Sequence, residues 1–152
     1  MSVKPIPDGY HSLTSYLIVH DAAAAIAFYT EAFGASERMR MPGPDGKLAH
    51  AELLIGDSML MLADEHPEMN ARSPKTIGGS PMFLALYVED CDAVFQRAIA
   101  AGAKEVRPLQ DQFYGDRTGT IEDPFGFQWT IATHIEDLTD EQIAERAKGH
   151  MG

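Results

Sequence analysis

Two stretches of this chain share one pattern of apolar and polar positions. Mostly apolar runs with high strand propensity cover 13–20 and again 82–89. Each run is followed at once by an aspartate, Asp21 in the first case and Asp90 in the second, 69 positions apart. A period of this length predicts an internal duplication of one structural unit.

Both runs lead into segments with the spacing of an amphipathic helix. Asp21 and Asp90 are placed to cap the two helices, and Gly34 and Gly102 suit the left-handed residue that follows a helix end. The shared apolar face holds Ala22, Ile26, Tyr29 and Phe33 in the first helix, and Cys91, Val94, Phe95, Ala98 and Ile99 in the second.

Three strand-like runs follow each predicted helix. In the first half they cover 36–41, 47–55 and 58–63, with turn sequences at 44–46 and 56–57; in the second half they cover 104–109, 117–122 and 127–133. Each half therefore has the order β-α-β-β-β. The prediction is an α+β fold in which two such repeats form a curled mixed sheet around a pocket.

The predicted organisation is a single domain of two repeats. The first unit covers 11–64, a linker rich in Pro, Gly, Ser and Asn covers 65–80, and the second unit covers 81–134. A C-terminal helix and tail occupy 135–152. Thr139 and Gln142 have the spacing of a capping box, which predicts where that short helix begins.

Composition narrows the function classes. The formal net charge of −11 and the lack of a basic cluster exclude nucleic acid and anionic membranes as expected partners. No stretch has the ~20 apolar residues of a membrane span, and the N-terminus does not have the pattern of a secretory signal. One cysteine, Cys91, allows no intramolecular disulfide. We expect a cytoplasmic protein, in which Cys91 is buried and structural.

The order of several short motifs resembles the vicinal-oxygen-chelate superfamily, which includes glyoxalases, bleomycin-resistance proteins and dioxygenases. The segments 21–29 and 33–35 are similar to its first-helix signature, and 114–117 with 122–126 is similar to its closing hairpin. The segments 50–53 and 55–62 resemble the PhnB-like branch. The resemblance covers about residues 12–133 and implies ligand binding on the concave faces of the sheets.

The resemblance also implies where a metal would be held. Metal-dependent members place one His or Glu on the first strand and one on the fourth strand of each unit. Those positions fall here on Thr14, Met61 (or Leu60 if the register slips by one), Phe83 and Thr130. These side chains do not make an ordinary hard-metal site. We therefore expect no metal at the usual place and no cofactor.

An apolar and aromatic pocket is predicted around these positions. Tyr114 and Trp129 lie near the closing hairpin, and with Tyr16, Met61 and Phe83 they suit a flat or thioether-bearing ligand. Core packing is the alternative for each of them, as it is for the alternating pairs Met39, Met41, Met59 and Met61.

Arg117 is a candidate for holding a carboxylate or phosphate of a ligand. The alternative is that it pairs with Asp116, Glu122 or Asp123 at the surface. The complete set of predicted ligand contacts is Thr14, Tyr16, Met61, Phe83, Tyr114, Arg117, Trp129 and Thr130.

A displaced site at His50 and Glu52 stays open as an alternative. These residues are two apart on a predicted strand, so their side chains share a face and could form a metal or acid–base pair. The other interpretation is a solvent-facing or polar network. His11 and His20 lie near the first strand, whereas the remaining histidines are expected at the surface: His66, His134 and His150.

Three functional hypotheses follow. The first is metal-independent binding of a small organic ligand, as in sequestration or resistance proteins. The second is a metal-assisted lyase, isomerase or dioxygenase with a displaced site at His50 and Glu52. The third is a scaffold that has lost its site, because a fold alone does not fix function. Exposed sheet edges favour a homodimer.

Overall fold

The computed structural model describes residues 2–151 of the 152-residue chain. The chain divides into two compact units. The first unit runs to Ser80 and also includes Pro124–Gly126, and the second contains Pro81–Asp123 and the chain from Phe127 onward. Each unit holds one four-stranded sheet.

The first unit begins with a strand, a helix and three further strands. Its elements are β1 (Ser15–Val19), α1 (Ala22–Phe33), β2 (Ser36–Pro42), β3 (Leu48–Ile55), β4 (Ser58–Asp64) and the short α2 (Pro74–Ile77). The segment predicted as a linker therefore carries α2 and also a 3₁₀ turn at Pro67–Met69. Pro at the first helical position and Ser73 at the N-cap explain why α2 forms there.

The second unit repeats the same order and adds the C-terminal helix. Its elements are β5 (Phe83–Tyr87), α3 (Cys91–Ala100), β6 (Lys104–Asp111), β7 (Asp116–Glu122), β8 (Gln128–His134) and α4 (Asp140–Met151). At the start of α4, Thr139 and Gln142 exchange hydrogen bonds of 2.9 and 3.1 Å, the reciprocal pattern of a capping box.

The two sheets have the same strand order. It is β1-β4-β3-β2 in the first unit and β5-β8-β7-β6 in the second. The first strand of each unit pairs in parallel with the last, and the other pairs are antiparallel. The predicted α+β fold of two βαβββ repeats is confirmed.

Helix ends follow the predicted chemistry. Asp21 and Asp90 each accept a backbone N–H three residues later, both at 3.1 Å. Gly34 ends α1 in the left-handed conformation with φ of 69°. These contacts satisfy N–H and C=O groups that a helix leaves without partners, so they fix where α1 and α3 begin and where α1 ends.

One face of each sheet packs on the unit's main helix. Leu17, Leu53 and Leu62 of the first sheet are fully buried. The tip of the β7–β8 hairpin completes this unit's core, because the Phe125 ring lies 6.1 Å from that of Tyr29. Burying such large apolar side chains is the dominant favourable contribution to folding. No helix within residues 2–151 is long and apolar enough to cross a membrane.

Candidate functional site

The first sheet has a second face that α1 does not cover. Tyr16, Met61 and Glu52 lie side by side across β1, β4 and β3, and His50 is two residues before Glu52 on the same side of β3. We call this surface the open face and define it by Tyr16, Ile18, His50, Glu52 and Met61. Strand alternation places it opposite the buried leucines.

A chain of hydrogen bonds crosses the open face. The Tyr10 hydroxyl donates to Oε1 of Glu52. Oε2 of Glu52 lies 2.8 Å from Nε2 of His50, and Nδ1 of His50 lies 2.8 Å from the Tyr16 hydroxyl. Tyr10 comes from the segment before β1, so three parts of the first unit meet in this network.

Ionisation in this network follows from its contacts. Hydrogen bonds from Tyr10 and His50 lower the pKa of Glu52. Burial, together with the hydrogen bond to Glu52, raises the pKa of Tyr10 to about 12. Burial and the negative charge of Glu52 also raise the pKa of Tyr16. At neutral pH the network therefore contains one carboxylate and two neutral phenols.

The partners of His50 assign its tautomer. The Glu52 carboxylate accepts only, so Nε2 of His50 carries a proton and donates it. In the neutral ring Nδ1 then has no proton and accepts from the Tyr16 hydroxyl. This arrangement matches the general logic of a carboxylate that orients a histidine, which in turn bonds a hydroxyl.

Two cavities adjoin the open face. The larger, of about 670 Å³, has Tyr16 in its wall. Its apolar lining includes Ile18, Leu48, Ala63 and Met69, and its charged lining includes Asp45, Lys47, Asp64, Glu65 and Glu68. The smaller, of about 420 Å³, lies between residues 5–12 and the side chains of Glu52 and Met61. The network therefore runs from the wall of one cavity to the wall of the other.

In the second unit, the predicted site residues lie on both faces of the sheet. Thr130 lies beside Ala85 and Thr120, and its hydroxyl is 3.2 Å from that of Thr120. Trp129 faces the other way, is 3% exposed and donates its indole N–H to Asp123 at 2.9 Å. This placement favours the core-packing alternative for Trp129.

Arg117 also lies on the side of the sheet covered by α3. It bonds Asp92 of α3 at 2.7 Å and Asp111 of β6 at 3.1 Å. The surface partners suggested for it, Asp116, Glu122 and Asp123, were therefore the wrong ones. The error arose because the helix–strand contact that brings Asp92 to Arg117 has no signal in the sequence.

Two other aromatic candidates are exposed. Phe83, at the start of β5, is 64% exposed, and Tyr114, in the turn before β7, is 38% exposed. The Tyr114 ring packs edge-on against Phe113, with 5.2 Å between ring centroids. Thr14 is half-buried and directly precedes β1.

A second polar network in this unit was not predicted. The Tyr87 hydroxyl donates to Asp116 at 2.6 Å, and Asp116 also lies 2.8 Å from Nδ1 of His134. These carboxylate contacts, with Asp137 on the other ring nitrogen, raise the pKa of His134. Its side chain is 52% exposed, so the prediction of a surface histidine is correct. Because β7–β8 register alone pairs Asp116 with His134, the sequence carried no local signal for it.

The chain matches the model of a known protein family. The family model described as the Glyoxalase/Bleomycin resistance protein/Dioxygenase superfamily matches residues 10–131. The chain belongs to this superfamily. An uncharacterized protein of Mycobacterium bovis is 45% identical over 135 residues, which cover 87% of this chain and 89% of the relative.

Solved structures of other proteins share the fold. TioX from Micromonospora sp. ML1 superposes with a TM-score of 0.65 at 26% identity, covering 82% of this chain and 99% of TioX. A PhnB protein from Bacillus cereus superposes with a TM-score of 0.62 at 20% identity, covering 81% and 99% of the two chains. At 20% identity, the similarity to the PhnB protein concerns the fold alone.

The metal-ligand positions of the glyoxalase superfamily do not fit a metal here. The register places Met61 beside Tyr16 and Thr130 beside Ala85, so Met61 and Thr130 occupy equivalent places in the two sheets. A thioether and a hydroxyl are poor ligands for a hard divalent ion. Within residues 2–151, no group of three or more His, Cys, Asp and Glu side chains is placed to hold one.

At the alternative metal site, the polar atoms of His50 and Glu52 are already hydrogen-bonded within the protein. Both nitrogens of His50 have partners, and each carboxylate oxygen of Glu52 has one. The nitrogen and oxygen atoms that could bind a metal bond to each other and to the two tyrosines, and they do not converge on a common point. The acid–base interpretation of the pair therefore agrees with the geometry better than the metal interpretation.

The remaining candidates take structural positions. Cys91 is 2% exposed at the start of α3, and its backbone N–H donates to the Thr133 hydroxyl at 2.9 Å. His11 lines the smaller cavity, and the His20 ring lies 5.5 Å from Phe125. Met39 and Met41 on β2 are 38% and 47% exposed, so they do not fill the core.

Proposed function

We propose that this glyoxalase-superfamily protein binds a small organic ligand at the open face of its first sheet, without a metal at the superfamily's usual place. The observation that carries the proposal is the cavity of about 670 Å³ whose wall includes Tyr16. Binding cavities for small molecules combine an apolar wall with a few placed polar groups. This cavity has that composition.

The wall suits a ligand with an apolar body. Ile18, Ala63 and Met69 line the cavity, and a methionine adapts to varied ligand shapes. Tyr16 is 46% exposed, so a ligand can reach this side chain. The ligand would pack on these side chains and direct one polar group to Tyr16.

Charge in the wall excludes one class of ligand. Four carboxylates line the cavity against one lysine, and the whole chain has a net charge of −11. Since like charges at such short range are costly, we expect a neutral or cationic ligand. The anionic ligand that Arg117 was predicted to hold is not part of this proposal, because Asp92 and Asp111 already pair with that residue.

A fluorescence titration with the neutral apolar dye Nile red tests the proposal. Ala63 lines the cavity and is 6% exposed, so Ala63→Phe would fill the space that the dye needs. We expect saturable dye binding by the native protein and at least tenfold weaker binding by Ala63→Phe.

The matched control is Ala24→Phe on the exposed side of α1, which adds the same ring away from the cavity. Thermal unfolding of both variants checks that they fold. Equal dye affinity for the native protein and Ala63→Phe, with both folded, would contradict binding in this cavity.

A further inference from the structure

The chain after β8 lies on the second unit without entering its core. We call residues 135–150 the C-terminal segment; it contains α4 up to His150. None of the residues 135–150 is buried, and the apolar side chains of Leu138, Ile143 and Ala147 are only half-buried. A segment with few buried apolar contacts opens at a small cost in free energy. Its polar contacts therefore decide whether it stays docked.

The C-terminal segment docks on the turn between β6 and β7, residues 112–115. The Gly115 carbonyl accepts two backbone N–H groups of the segment, at 2.9 and 3.1 Å. Arg146 of α4 donates to the Phe113 carbonyl at 3.2 Å, and the His150 ring lies 4.8 Å from the Phe113 ring. The segment thus rests on this turn and covers part of Phe113.

His134 lies between two carboxylates at the point where the C-terminal segment leaves β8. Its Nδ1 is 2.8 Å from Oδ1 of Asp116 on β7, and its Nε2 is 2.7 Å from Oδ1 of Asp137 in the segment. An ionised carboxylate only accepts hydrogen bonds, and a neutral imidazole has a single N–H to donate. Only the imidazolium can therefore make both contacts at once, and in that form it joins the segment to the sheet.

The two carboxylates differ in how firmly they are held. The Asp116 side chain is 8% exposed and also accepts the Tyr87 hydroxyl at 2.6 Å, which fixes it on the sheet. The Asp137 side chain is fully exposed, so water can solvate it as soon as it leaves the ring. When His134 loses a proton, the contact that breaks is therefore the one to Asp137, next to the two N–H groups on Gly115.

We propose that His134 is a pH-sensitive latch, which holds the C-terminal segment on the turn between β6 and β7 when protonated and releases the segment with α4 when neutral. The groups that face the ring are Asp116 of β7, Asp137 of the segment and, behind Asp116, Tyr87 of β5. Release uncovers Phe113 and the Gly115 carbonyl.

The pH range of the latch follows from its contacts. Hydrogen bonds to Asp116 and Asp137 raise the pKa of His134 above its ordinary value of 6.5. When docking raises a pKa, the stabilisation is complete below the ordinary value and is lost as the pH rises through the raised one. The latch is therefore closed below pH 6.5 and opens above it. The Glu136–Arg146 ion pair stays charged over this range, because each partner shifts the pKa of the other away from neutrality.

Amide solvent exchange measured by NMR on the full chain tests the latch. Protection factors, in which the intrinsic effect of pH on exchange is divided out, are compared for α4 and β7 from about pH 5.5 to about pH 8.5. Because exposed ion pairs are weak, we expect the native protein to lose about two- to fivefold of the α4 protection as the pH rises. Protection of β7 should not change, and ring-nitrogen shifts should show His134 doubly protonated at the lower pH.

Two variants remove the latch from its two sides. His134→Gln removes the imidazolium and Asp137→Asn removes the carboxylate that it releases. At both ends of the pH range each variant should show the low α4 protection of the native protein at the upper end. His66→Gln is the matched control: His66, in the first unit, is 55% exposed and 3.7 Å from a carboxylate oxygen of Glu68. This control should keep the native pH dependence, and His150 is present in every protein compared.

Three results would overturn the latch. The first is α4 protection in the native protein that does not change with pH. The second is an equal loss of α4 protection with rising pH in His134→Gln and in the native protein. The third is a parallel loss in β7 and α4, which would show that the whole unit opens rather than its C-terminal segment. Loss of the pH dependence in both His134→Gln and Asp137→Asn, with β7 protection unchanged, would support it.

Discussion

The Asp64 carboxylate accepts the backbone N–H of Ala22, the first residue of α1, at 2.8 Å. Its second oxygen accepts the backbone N–H of Leu48 at 2.7 Å, so one side chain at the end of β4 ties together a helix start and the start of β3. The second repeat uses the Thr133 hydroxyl in the same place, on the N–H of Cys91. The duplication thus extends to this contact, with different chemistry in each half.

Replacement of Asp64 by alanine should destabilise the protein. It leaves two part-buried N–H groups without their acceptor, and each such loss costs about 1–3 kcal/mol. We expect the free energy of unfolding to fall by about 2–6 kcal/mol in urea denaturation. Thr133→Val also removes two hydrogen bonds, one from the Cys91 N–H and one to the Val88 carbonyl, both 2.9 Å long, so it should cost a similar amount; unchanged stability in Asp64→Ala would contradict the assignment.

Glu65 should make stability depend on acid pH. Hydrogen bonds from Thr76 and Ser73 lower its pKa to about 2, below the ordinary value of 4.5. When folding lowers the pKa of a group, that group stabilises the folded protein at pH values above its ordinary pKa. The stabilisation is lost as the pH falls towards the pKa of the folded state. Glu65→Gln should therefore be less stable than the native protein at pH 7, by about 2 kcal/mol.

The free energies of unfolding of the native protein and Glu65→Gln should become equal at acid pH. Urea midpoints measured from neutral pH down through 4.5 to about 2 should show the difference shrinking as the native Glu65 takes up its proton. A constant difference over that range would show that the carboxylate charge is not the source of the effect.

Tyr10 should make the stability of the protein depend on pH in the alkaline range. Folding raises its pKa to about 12, so the folded protein keeps a proton that the unfolded chain loses near the ordinary value of 10. The stability that Tyr10 contributes is complete below pH 10 and is lost as pH rises from 10 to about 12. Ultraviolet titration of phenolate absorbance should show a late component that is smaller in Tyr10→Phe, where Tyr16 and Tyr87 are the remaining phenols with raised pKa values.

Gly126 should not tolerate a side chain. A Cβ there would lie 2.6 Å from Cβ of Pro74, and the residue has φ of 95°. An unfavourable backbone conformation alone costs about 1–3 kcal/mol, and Gly126→Ala should lower the free energy of unfolding by more than that. Gly34→Ala is the matched control, since φ is 69° there and the added carbon meets no atom within 4 Å. Similar losses in the two variants would argue against the Pro74 contact.

The parts of the fold that local chemistry controls could be predicted from the sequence. Asp21, Asp90 and Gly34 mark helix ends because caps act within a few residues, and the duplicated apolar pattern revealed the repeat. Strand ends differed by one or two residues, as at Pro42 and Asp111, because pairing partners extend a strand beyond its own propensity.

The candidate site was predictable only in part. His50 and Glu52 were placed on one face by strand alternation, but the bond from Tyr10 to Glu52 joins residues 42 apart and depends on how the segment before β1 folds back. Neighbouring strand residues point to opposite faces, so the grouping of Trp129 with Thr130 in one pocket ignored the period of two.

Several expectations stay predictions. The ligand contacts, the absence of a cofactor, the homodimer and the cytoplasmic location are among them. Size-exclusion chromatography with light scattering measures the oligomeric state directly, and a mass near twice 16.6 kDa is the expected result for a homodimer. A mass of one chain at micromolar concentration would contradict it.

Mapping of amide chemical-shift changes during titration with Nile red tests the central claim most directly. A ligand in the cavity of the first unit should shift the amide signals of Tyr16, Ala63 and His66 and their neighbours, with one common dissociation constant. Saturable shifts confined to residues of the second unit, or no shifts at the cavity wall while the dye is bound, would contradict a ligand site at this open face.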